Sequence, residues 1–411
     1  MVPWRCYWAP MRHSTGGMAE VFDLVILGGG CAGLSLSMAL AAHGARCPRT
    51  LVIESRTGYA NDRTWCYWSD SSAPGPFPVQ HRWQTMRVAH AGQSVLLDCG
   101  SQPYHMLAAQ DFYAAAQATV DRQPNIELRL GAAVLGEPCR SASGSGWHIR
   151  TSAGDVTARW VVDTRPSVQP RRGGAVLWQS FYGQEIECSA PVFDPAVVDL
   201  MNFLAPDPRH VAFVYVLPLT PTRALVEVTV FGATPLAPQD LRAQLDASVA
   251  QRVGGARVTS LRREHGILPM GLNTAPDPGD SSCVRVGLMA GAARPSTGYA
   301  FLRIQRWAAE CAQSLVAGGG PTGHRRDAWA LRTMDRIFLD VLRANPGGGG
   351  ALFYSLFSRV DPARVIRFLS GQGSAVDGLA VLAAMPLQPF IRAALGRARR
   401  SGRVGEVESR A

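Results

Sequence analysis

The sequence predicts an α/β protein in which a Rossmann-like sheet is combined with an antiparallel sheet and a helical C-terminal region. Three observations support this fold class: a glycine-rich turn near residue 28, β-like segments between residues 174 and 270, and a mostly helical pattern after residue 327. The 411 residues are 47% hydrophobic, which is enough to bury a full core. We therefore expect two closely joined lobes rather than independent modules.

Composition excludes several classes of chemistry. The net charge is +10, and all 41 basic residues are arginines, so a Schiff-base lysine, a lysine base and a P-loop lysine are excluded. The positive charge suits an anionic membrane surface or a phosphate-bearing cofactor, whereas the scattered arginines argue against nucleic acid. The nine cysteines form no CxxC pair or Cys/His cluster, so we expect reduced thiols in a cytoplasmic protein, with neither a metal site nor disulfides.

The N-terminal part contains an extension and one long apolar stretch. Residues 1–17 lack periodicity, and we expect a disordered or mis-called extension there. Residues 24–42 are uncharged and long enough to imitate a membrane span, but their glycines favour a strand, a turn and a helix. Any membrane contact is therefore expected to be peripheral, at the inner membrane.

The first structural unit is a predicted strand–turn–helix–strand motif. Its elements are expected at residues 23–27, 32–43 and 50–54. Gly28, Gly30 and Gly33 have the G-x-G-x-x-G spacing, which brings backbone N–H groups against a pyrophosphate at a helix N-terminus. Glu54 ends the second strand, where a carboxylate can accept the ribose hydroxyls. The motif predicts dinucleotide binding and leaves FAD and NAD open.

The first lobe is expected to cover residues 18–173, with inserted strands. Its loop "SRTGYANDRTWCYWSD" carries Arg63 and Trp65, candidates to line a flavin or substrate pocket, with a purely structural loop as the alternative. Residues 86–100 alternate as in an antiparallel hairpin, and residues 108–122 form an amphipathic helical pattern. The strand that ends at Asp163 is expected to return to the nucleotide-binding sheet.

Residues 174–280 are predicted to form an antiparallel substrate-binding domain that contains one isolated acid. In "ALVEVTV", alternation places Glu227 on one face with Leu225 and Thr229. An acid in apolar surroundings has a raised pKa and can donate a proton near neutral pH. A glutamate on the solvent face of the sheet is the alternative. Glu264, in "REHGILPM", is a weaker candidate acid, with an ion pair to Arg262 or Arg263 as the alternative.

Residues 281–325 are predicted to return to the first lobe, and the loop "RPSTGYAF" favours FAD over NAD. Pro295 and Ser296 can open a helix whose N-terminal dipole favours the negative charge of a reduced flavin, although an ordinary helix cap is the alternative. Thr297, Gly298 and Tyr299 bring the backbone close and add a planar ring. A loop that returns more than 200 residues after the first motif is typical of a split, hydroxylase-like FAD domain.

Residues 326–411 form the predicted helical C-terminal region. Residues 389–403 combine five arginines with apolar side chains, which suits either an anionic lipid surface or a solvated helix.

Taken together, these motifs resemble the flavin-containing lycopene cyclases of bacterial carotenoid biosynthesis, from about residue 21 to residue 395. The resemblance rests on the segments "DLVILGGGCAGLSLSMAL", "NDRTWCYW", "FYGQEIE", "FVYVLPLTPTRALVEVTVF", "REHGILPM" and "RPSTGY". It implies that Glu227 protonates the substrate. Many members of the family follow this glutamate with Asp, whereas this chain has Val228, which puts more weight on Glu227.

The resemblance implies redox-neutral cyclisation of lycopene to γ- and β-carotene, with reduced FAD in the site and NAD(P)H as its reductant. It also implies related acyclic carotenoids as substrates, and it makes enzymes of the carotenoid pathway candidate partners. Two alternatives stay open: a flavin-dependent monooxygenase or reductase acting on an apolar isoprenoid, and a non-catalytic flavoprotein or carotenoid carrier.

Overall fold

The computed structural model describes residues 20–70, 77–141, 144, 146–166, 175–272 and 281–393. The predicted extension at residues 1–17 and the predicted domain limits at residues 173, 174 and 280 lie outside these ranges. The strands are β1 (Glu20–Leu27), β2 (Thr50–Ile53), β3 (Thr64–Trp68), β4 (His81–Trp83), β5 (Thr85–His90), β6 (Gln93–Asp98), β7 (Tyr104–Ala108), β8 (Ile126–Arg129), β9 (Cys139–Arg140), β10 (Trp147–Ile149), β11 (Val156–Asp163), β12 (Leu177–Cys188), β13 (Val197–Phe203), β14 (His210–Pro218), β15 (Arg223–Gly232), β16 (Val258–Met270) and β17 (Cys283–Arg285). The helices are α1 (Cys31–Ala41), α2 (Ala109–Asp121), α3 (Pro238–Val253), α4 (Phe301–Val316), α5 (Trp329–Ala344), α6 (Gly349–Arg359), α7 (Pro362–Leu369) and α8 (Ala375–Ala384).

The first sheet has the order β8-β2-β1-β11-β10-β9, and β17 pairs with β11. Strand β1 runs parallel to β2 and β11, and both flanking pairs, β2–β8 and β11–β17, are also parallel. Leu24 and Ile26 pack with α1 and α4, whereas Val25 and Leu27 pack on the opposite face, so the C-terminal half of β1 is apolar on both faces. The predicted strand–turn–helix–strand motif and the returning strand at Asp163 are confirmed.

The second sheet has the order β16-β12-β15-β14-β13-β5-β6, and a third sheet has the order β3-β7-β4. All pairs of the second sheet are antiparallel except β5 with β13, so the predicted antiparallel sheet is confirmed. The predicted hairpin forms as β5 and β6 but joins this second sheet rather than the first. It does so because Val88 and Leu97 bury their side chains in the core beneath the second sheet.

Helices cover both faces of the second sheet. On one face, Val226, Val228 and Val230 pack with α3. On the other face, the C-terminal helices contribute a large apolar cluster that includes Leu339, Phe353 and many neighbours. Among the described residues, no helix combines the length and apolar character that crossing a bilayer requires.

Candidate active site

A cavity of about 900 Å³ extends from the glycine-rich turn of the first sheet to the inner face of the second sheet. Its two ends differ in chemistry. The end at the turn is polar and includes Glu54, Arg56 and Arg63. The far end is lined mainly by apolar and aromatic side chains, namely Leu200, Phe213, Leu225, Phe231, Phe353, Leu356 and Phe357. The cavity can therefore hold a charged nucleotide at one end and a hydrocarbon at the other.

The glycine-rich turn fits a dinucleotide. Gly28 has a φ of +100°, and a Cβ on Gly33 would lie 2.0 Å from the carbonyl oxygen of Gly28, so both positions require glycine. A Cβ on Gly30 would meet no atom within 4 Å, and Gly28 and Gly30 both line the cavity. Backbone N–H groups at the start of α1 are thus accessible to a phosphate-bearing ligand.

Glu54 lies at the end of β2, beside this turn, as predicted. Its carboxylate accepts hydrogen bonds from the Gly29 N–H at 2.8 Å and from the Arg56 N–H at 2.9 Å. Burial raises the pKa of Glu54, but the hydrogen bonds from Arg56 outweigh this effect and lower the pKa, so the group is ionised. Arg63 lines the same part of the cavity and donates to Asp62 at 3.0 Å.

The second loop also lines the cavity: Thr297, Gly298 and Tyr299 are in its wall, and Pro295 is not. Gly298 has a φ of +73°, and a Cβ there would lie 2.6 Å from Oε1 of Gln179. That oxygen is buried, and it accepts no hydrogen bond in the described part of the chain. A buried acceptor without a donor beside a close-approach glycine is consistent with a ligand in this part of the cavity.

The prediction that Pro295 and Ser296 open a helix is wrong. Residues 295–297 form a turn, and helix α4 begins only at Phe301. The Ser296 hydroxyl instead donates to the buried carboxylate of Asp335 at 2.7 Å, and Arg294 forms an ion pair with the same carboxylate at 3.1 Å. These contacts with α5 hold the loop in a turn.

Glu227 lies at the centre of the second sheet with its side chain in the wall of the cavity and only 8% exposed. Its predicted face is confirmed, because Leu225 and Thr229 also line the cavity. The Thr229 hydroxyl donates to Oε1 of Glu227 at 2.7 Å. The residues in register with Glu227 on the neighbouring strands are Gly183 on β12 and Tyr215 on β14.

Glu264 lies on the other side of Gly183, on β16, and is 3% exposed. It accepts hydrogen bonds from Arg262 and, at 2.8 Å, from the Thr64 hydroxyl, so the predicted alternative of an arginine partner is confirmed. Arg262 also donates a hydrogen bond to the Glu185 carboxylate at 2.6 Å, and Arg223 donates to the same carboxylate. Two arginines therefore neutralise Glu185 and Glu264 within this network.

The charge of the network explains the protonation of Glu227. An ionised Glu227 would add an unbalanced negative charge to a buried site, which is costly. Burial, followed by the negative charge of Glu264, raises the pKa of Glu227 to about 8, although Thr229 and Arg262 partly oppose the shift. Burial raises the pKa of Glu264 as well, and Arg262 and Thr64 only partly oppose this shift, but Glu264 alone of the two acids has a guanidinium partner. The proton is therefore held at Glu227.

Several residues of this site were not predicted from the sequence. Tyr215 lies beside Glu227, and its hydroxyl donates to the Tyr104 hydroxyl at 3.0 Å. Cys66, Tyr104 and Tyr215 all line the cavity, as does Gln179. The strand alternation of residues 210–218 could have placed Tyr215 on the inner face. No pattern in the sequence could have shown that Gly183 separates the two glutamates, because that requires the order of the strands.

Proteins of known structure share this fold. A geranylgeranyl bacteriochlorophyll reductase-like protein from Thermoplasma acidophilum has a TM-score of 0.58 and 14% identity, covering 91% of this chain and 98% of that chain. The p-nitrophenol 4-monooxygenase PnpA from Pseudomonas putida DLL-E4 has a TM-score of 0.54 and 16% identity, covering 90% and 98%. The predicted hydroxylase-like flavoprotein fold is confirmed.

Similarity in sequence gives the family. A lycopene beta-cyclase from Pantoea ananas is 26% identical over 398 residues, covering 92% of this chain and 98% of that protein. A lycopene beta-cyclase from Paracoccus sp. is 28% identical over 390 residues, covering 90% and 95%. The model of the family described as "Lycopene cyclase protein" matches residues 23–395. The chain therefore belongs to the lycopene cyclase family.

Proposed function

We propose that this protein is a lycopene beta-cyclase that closes the ψ-ends of lycopene into β-ionone rings, forming γ-carotene and then β-carotene without net oxidation or reduction. The observation that carries the proposal is the buried carboxyl of Glu227, which has no basic partner of its own among the described residues and faces a largely apolar cavity. A hydrocarbon substrate offers no hydrogen-bonding group, so a largely apolar wall with one protonated acid suits it.

The first step is proton transfer from Glu227 to the terminal double bond of the substrate, which leaves a tertiary carbocation. The neighbouring double bond attacks this cation and closes a six-membered ring. The ionised Glu227 then takes a proton from the ring, which forms the ring double bond and restores the acid. One proton enters and one leaves, no electron is transferred, and the product is an isomer of the substrate.

The walls of the cavity suit a positive intermediate. The aromatic rings of Phe213, Tyr215 and Phe231 line the cavity with Glu227, and aromatic rings attract cations in sites that exclude water. The Glu264–Arg262 pair keeps the network beside Glu227 neutral before the proton is transferred. The aromatic rings stabilise the cation, and Glu264 remains paired with Arg262.

The cofactor proposed for this site is FAD in its reduced form, with NAD(P)H serving only as its reductant. When bound, reduced FAD would supply negative charge that stabilises the carbocation. The residues proposed to hold it are Gly28, Gly30, Gly33, Glu54, Arg63, Thr297, Gly298 and Tyr299, with Pro295 shaping the second loop. We further propose a peripheral position at the cytoplasmic face of the inner membrane, because lycopene is confined to lipid, and there we expect other carotenoid-pathway enzymes nearby.

The test is anaerobic incubation of the full-length protein with FAD, NADPH and lycopene in liposomes, run in H2O and in D2O. We expect products of unchanged mass in H2O, without stoichiometric loss of NADPH, and one deuterium per ring in D2O. Glu227→Gln should form no ring, while Glu310→Gln, the same substitution on the exposed side of α4, should behave as wild type.

Other outcomes would point to the alternatives. A change of mass in H2O, or NADPH consumed one for one, would indicate a reductase or, with oxygen, a monooxygenase. Binding of the pigment by both wild type and Glu227→Gln, with no product from either, would indicate a carrier. Normal cyclisation by Glu227→Gln would refute the assignment of the acid.

A further inference from the structure

An exposed apolar surface lies on the C-terminal helices. Twelve large apolar side chains are exposed among the described residues, and five of them lie between residues 376 and 391. They are Val376, Leu379, Leu382, Leu387 and Ile391, with exposures of 38–67%. We call these five residues the C-terminal apolar face. Such a cluster on one short segment differs from the scattered apolar residues normal for protein surfaces.

Helix α8 has no polar side to present to water. Its sequence, "AVDGLAVLAA", contains one charged residue, Asp377, which is buried, caps the helix with Ser374 and forms an ion pair with Arg367 at 2.7 Å. Val381 and Ala384 pack into the core, while Val376 and Leu379 are exposed. A helix that is apolar on both its inner and outer sides is expected inside a protein or against lipid.

The C-terminal apolar face continues beyond the end of α8 with two more exposed apolar side chains. Residues 387–393 are helical, so Leu387 and Ile391 lie four residues apart on one side, while Phe390 packs against the core. From Gly378 to Gly405 the sequence carries five arginines and no acid. Among the described residues, Arg392 is exposed beside Ile391. An exposed apolar face next to a guanidinium group, in a segment without acids, matches the surface of a bilayer that contains anionic lipids.

One layer of helices separates this face from the cavity. Helix α8 contacts α6, where the Ser355 hydroxyl donates to the Ala384 carbonyl at 3.0 Å. The other side of α6 supplies Phe353, Leu356 and Phe357 to the apolar end of the cavity. A lipid-borne molecule at the C-terminal apolar face is therefore close to the part of the protein that would receive it.

We propose that the C-terminal apolar face docks on an anionic bilayer and orients the protein so that helix α8 and the helical residues 387–393 face the lipid. Lipid binding itself is independent of the proposed activity; only the delivery of substrate through this side rests on the proposed function. The two parts are measured separately.

Binding is tested with the full chain and flotation on vesicles of phosphatidylcholine with and without phosphatidylglycerol, in the absence of carotenoid. We expect wild type to float with the anionic vesicles, and the partition coefficient of L379Q/L387Q to fall about tenfold or more. Leu96→Gln on β6, an equally exposed leucine outside the face, is the matched control and should float as wild type. Circular dichroism and melting curves establish that all variants are folded.

Three results would overturn the docking assignment: wild type that does not float, a double variant that floats as wild type, or a wild-type dimer that the double variant abolishes. The last would assign the face to a second copy of the chain.

Delivery of the substrate through this face is tested by product formation from lycopene in vesicles and in detergent micelles. The double variant should lose activity only with vesicles; equal activity with both would refute delivery through this face. Wild-type inactivity with both would refute the proposed function and leave lipid binding standing.

Discussion

Glu227 and Glu264 lie on different strands, yet both are in register with the same residue, Gly183 of the strand between them. Gly183 leaves the space between the two carboxyl groups open, because a Cβ there would lie 3.3–3.5 Å from three atoms of the Glu227 side chain. Of the two acids, only Glu264 has an arginine partner. Glu264 therefore carries the negative charge, and Glu227 holds the proton.

The first prediction concerns pH. If protonated Glu227 is the acid, the rate should be constant below its pKa of about 8 and fall about tenfold per pH unit above it, because the protonated fraction falls at that rate. In Glu264→Gln the negative neighbour is lost, the pKa of Glu227 should decrease, and the fall should begin at lower pH. The measurement is the pH profile of ring formation with FAD reduced chemically.

Glu310→Gln provides the control for this profile, because its carboxylate lies on the exposed side of α4. A Glu264→Gln profile that coincides with wild type would show that Glu264 does not set the proton affinity of Glu227. A decrease in rate at every pH with the same midpoint would indicate a purely structural effect.

The second prediction concerns Gly183. In Gly183→Ala the new Cβ presses on Glu227, which must move by a few tenths of an ångström, and in Gly183→Val the displacement is larger. Because small misplacements of a catalytic group reduce rates strongly, we expect a decrease of about tenfold for Ala and about 100-fold or more for Val. Rates and melting temperatures measured together separate displacement from unfolding. Full activity of Gly183→Val would contradict the geometry.

How well the sequence predicts this site depends on how far apart the interacting residues are along the chain. The face of Glu227 is predictable because alternation along one strand is local. The neighbours Gly183 and Glu264 are not, because β12 lies next to β15 and β16 although neither is adjacent to it in the chain. The turn at Ser296 escaped prediction for the same reason, since Asp335 lies 39 residues further along the chain.

The third prediction concerns the second loop. Gly298→Ala should weaken FAD binding, because its φ of +73° disfavours alanine and the Cβ would lie 2.6 Å from Oε1 of Gln179. We expect at least about tenfold weaker binding of FAD to the apoprotein, measured by titration, since strain of this kind costs on the order of 1–3 kcal/mol. The double variant Gln179→Ala/Gly298→Ala removes the contact and retains the backbone strain. Equal FAD affinity of wild type and Gly298→Ala would contradict a close approach of this loop to the flavin.

The last prediction concerns the ion pair that holds the second loop against α5. Arg294 and Asp335 are 1% and 2% exposed, and Arg294 also donates to the Phe368 carbonyl. Asp335→Asn leaves a buried guanidinium without its counter-charge, which typically costs about 3–5 kcal/mol of unfolding free energy. Asp246→Asn, which breaks an exposed pair with Arg242 on α3, should cost less than about 1 kcal/mol. Urea unfolding with flavin absent measures both, and similar costs for the two variants would show that the buried pair does not hold the loop.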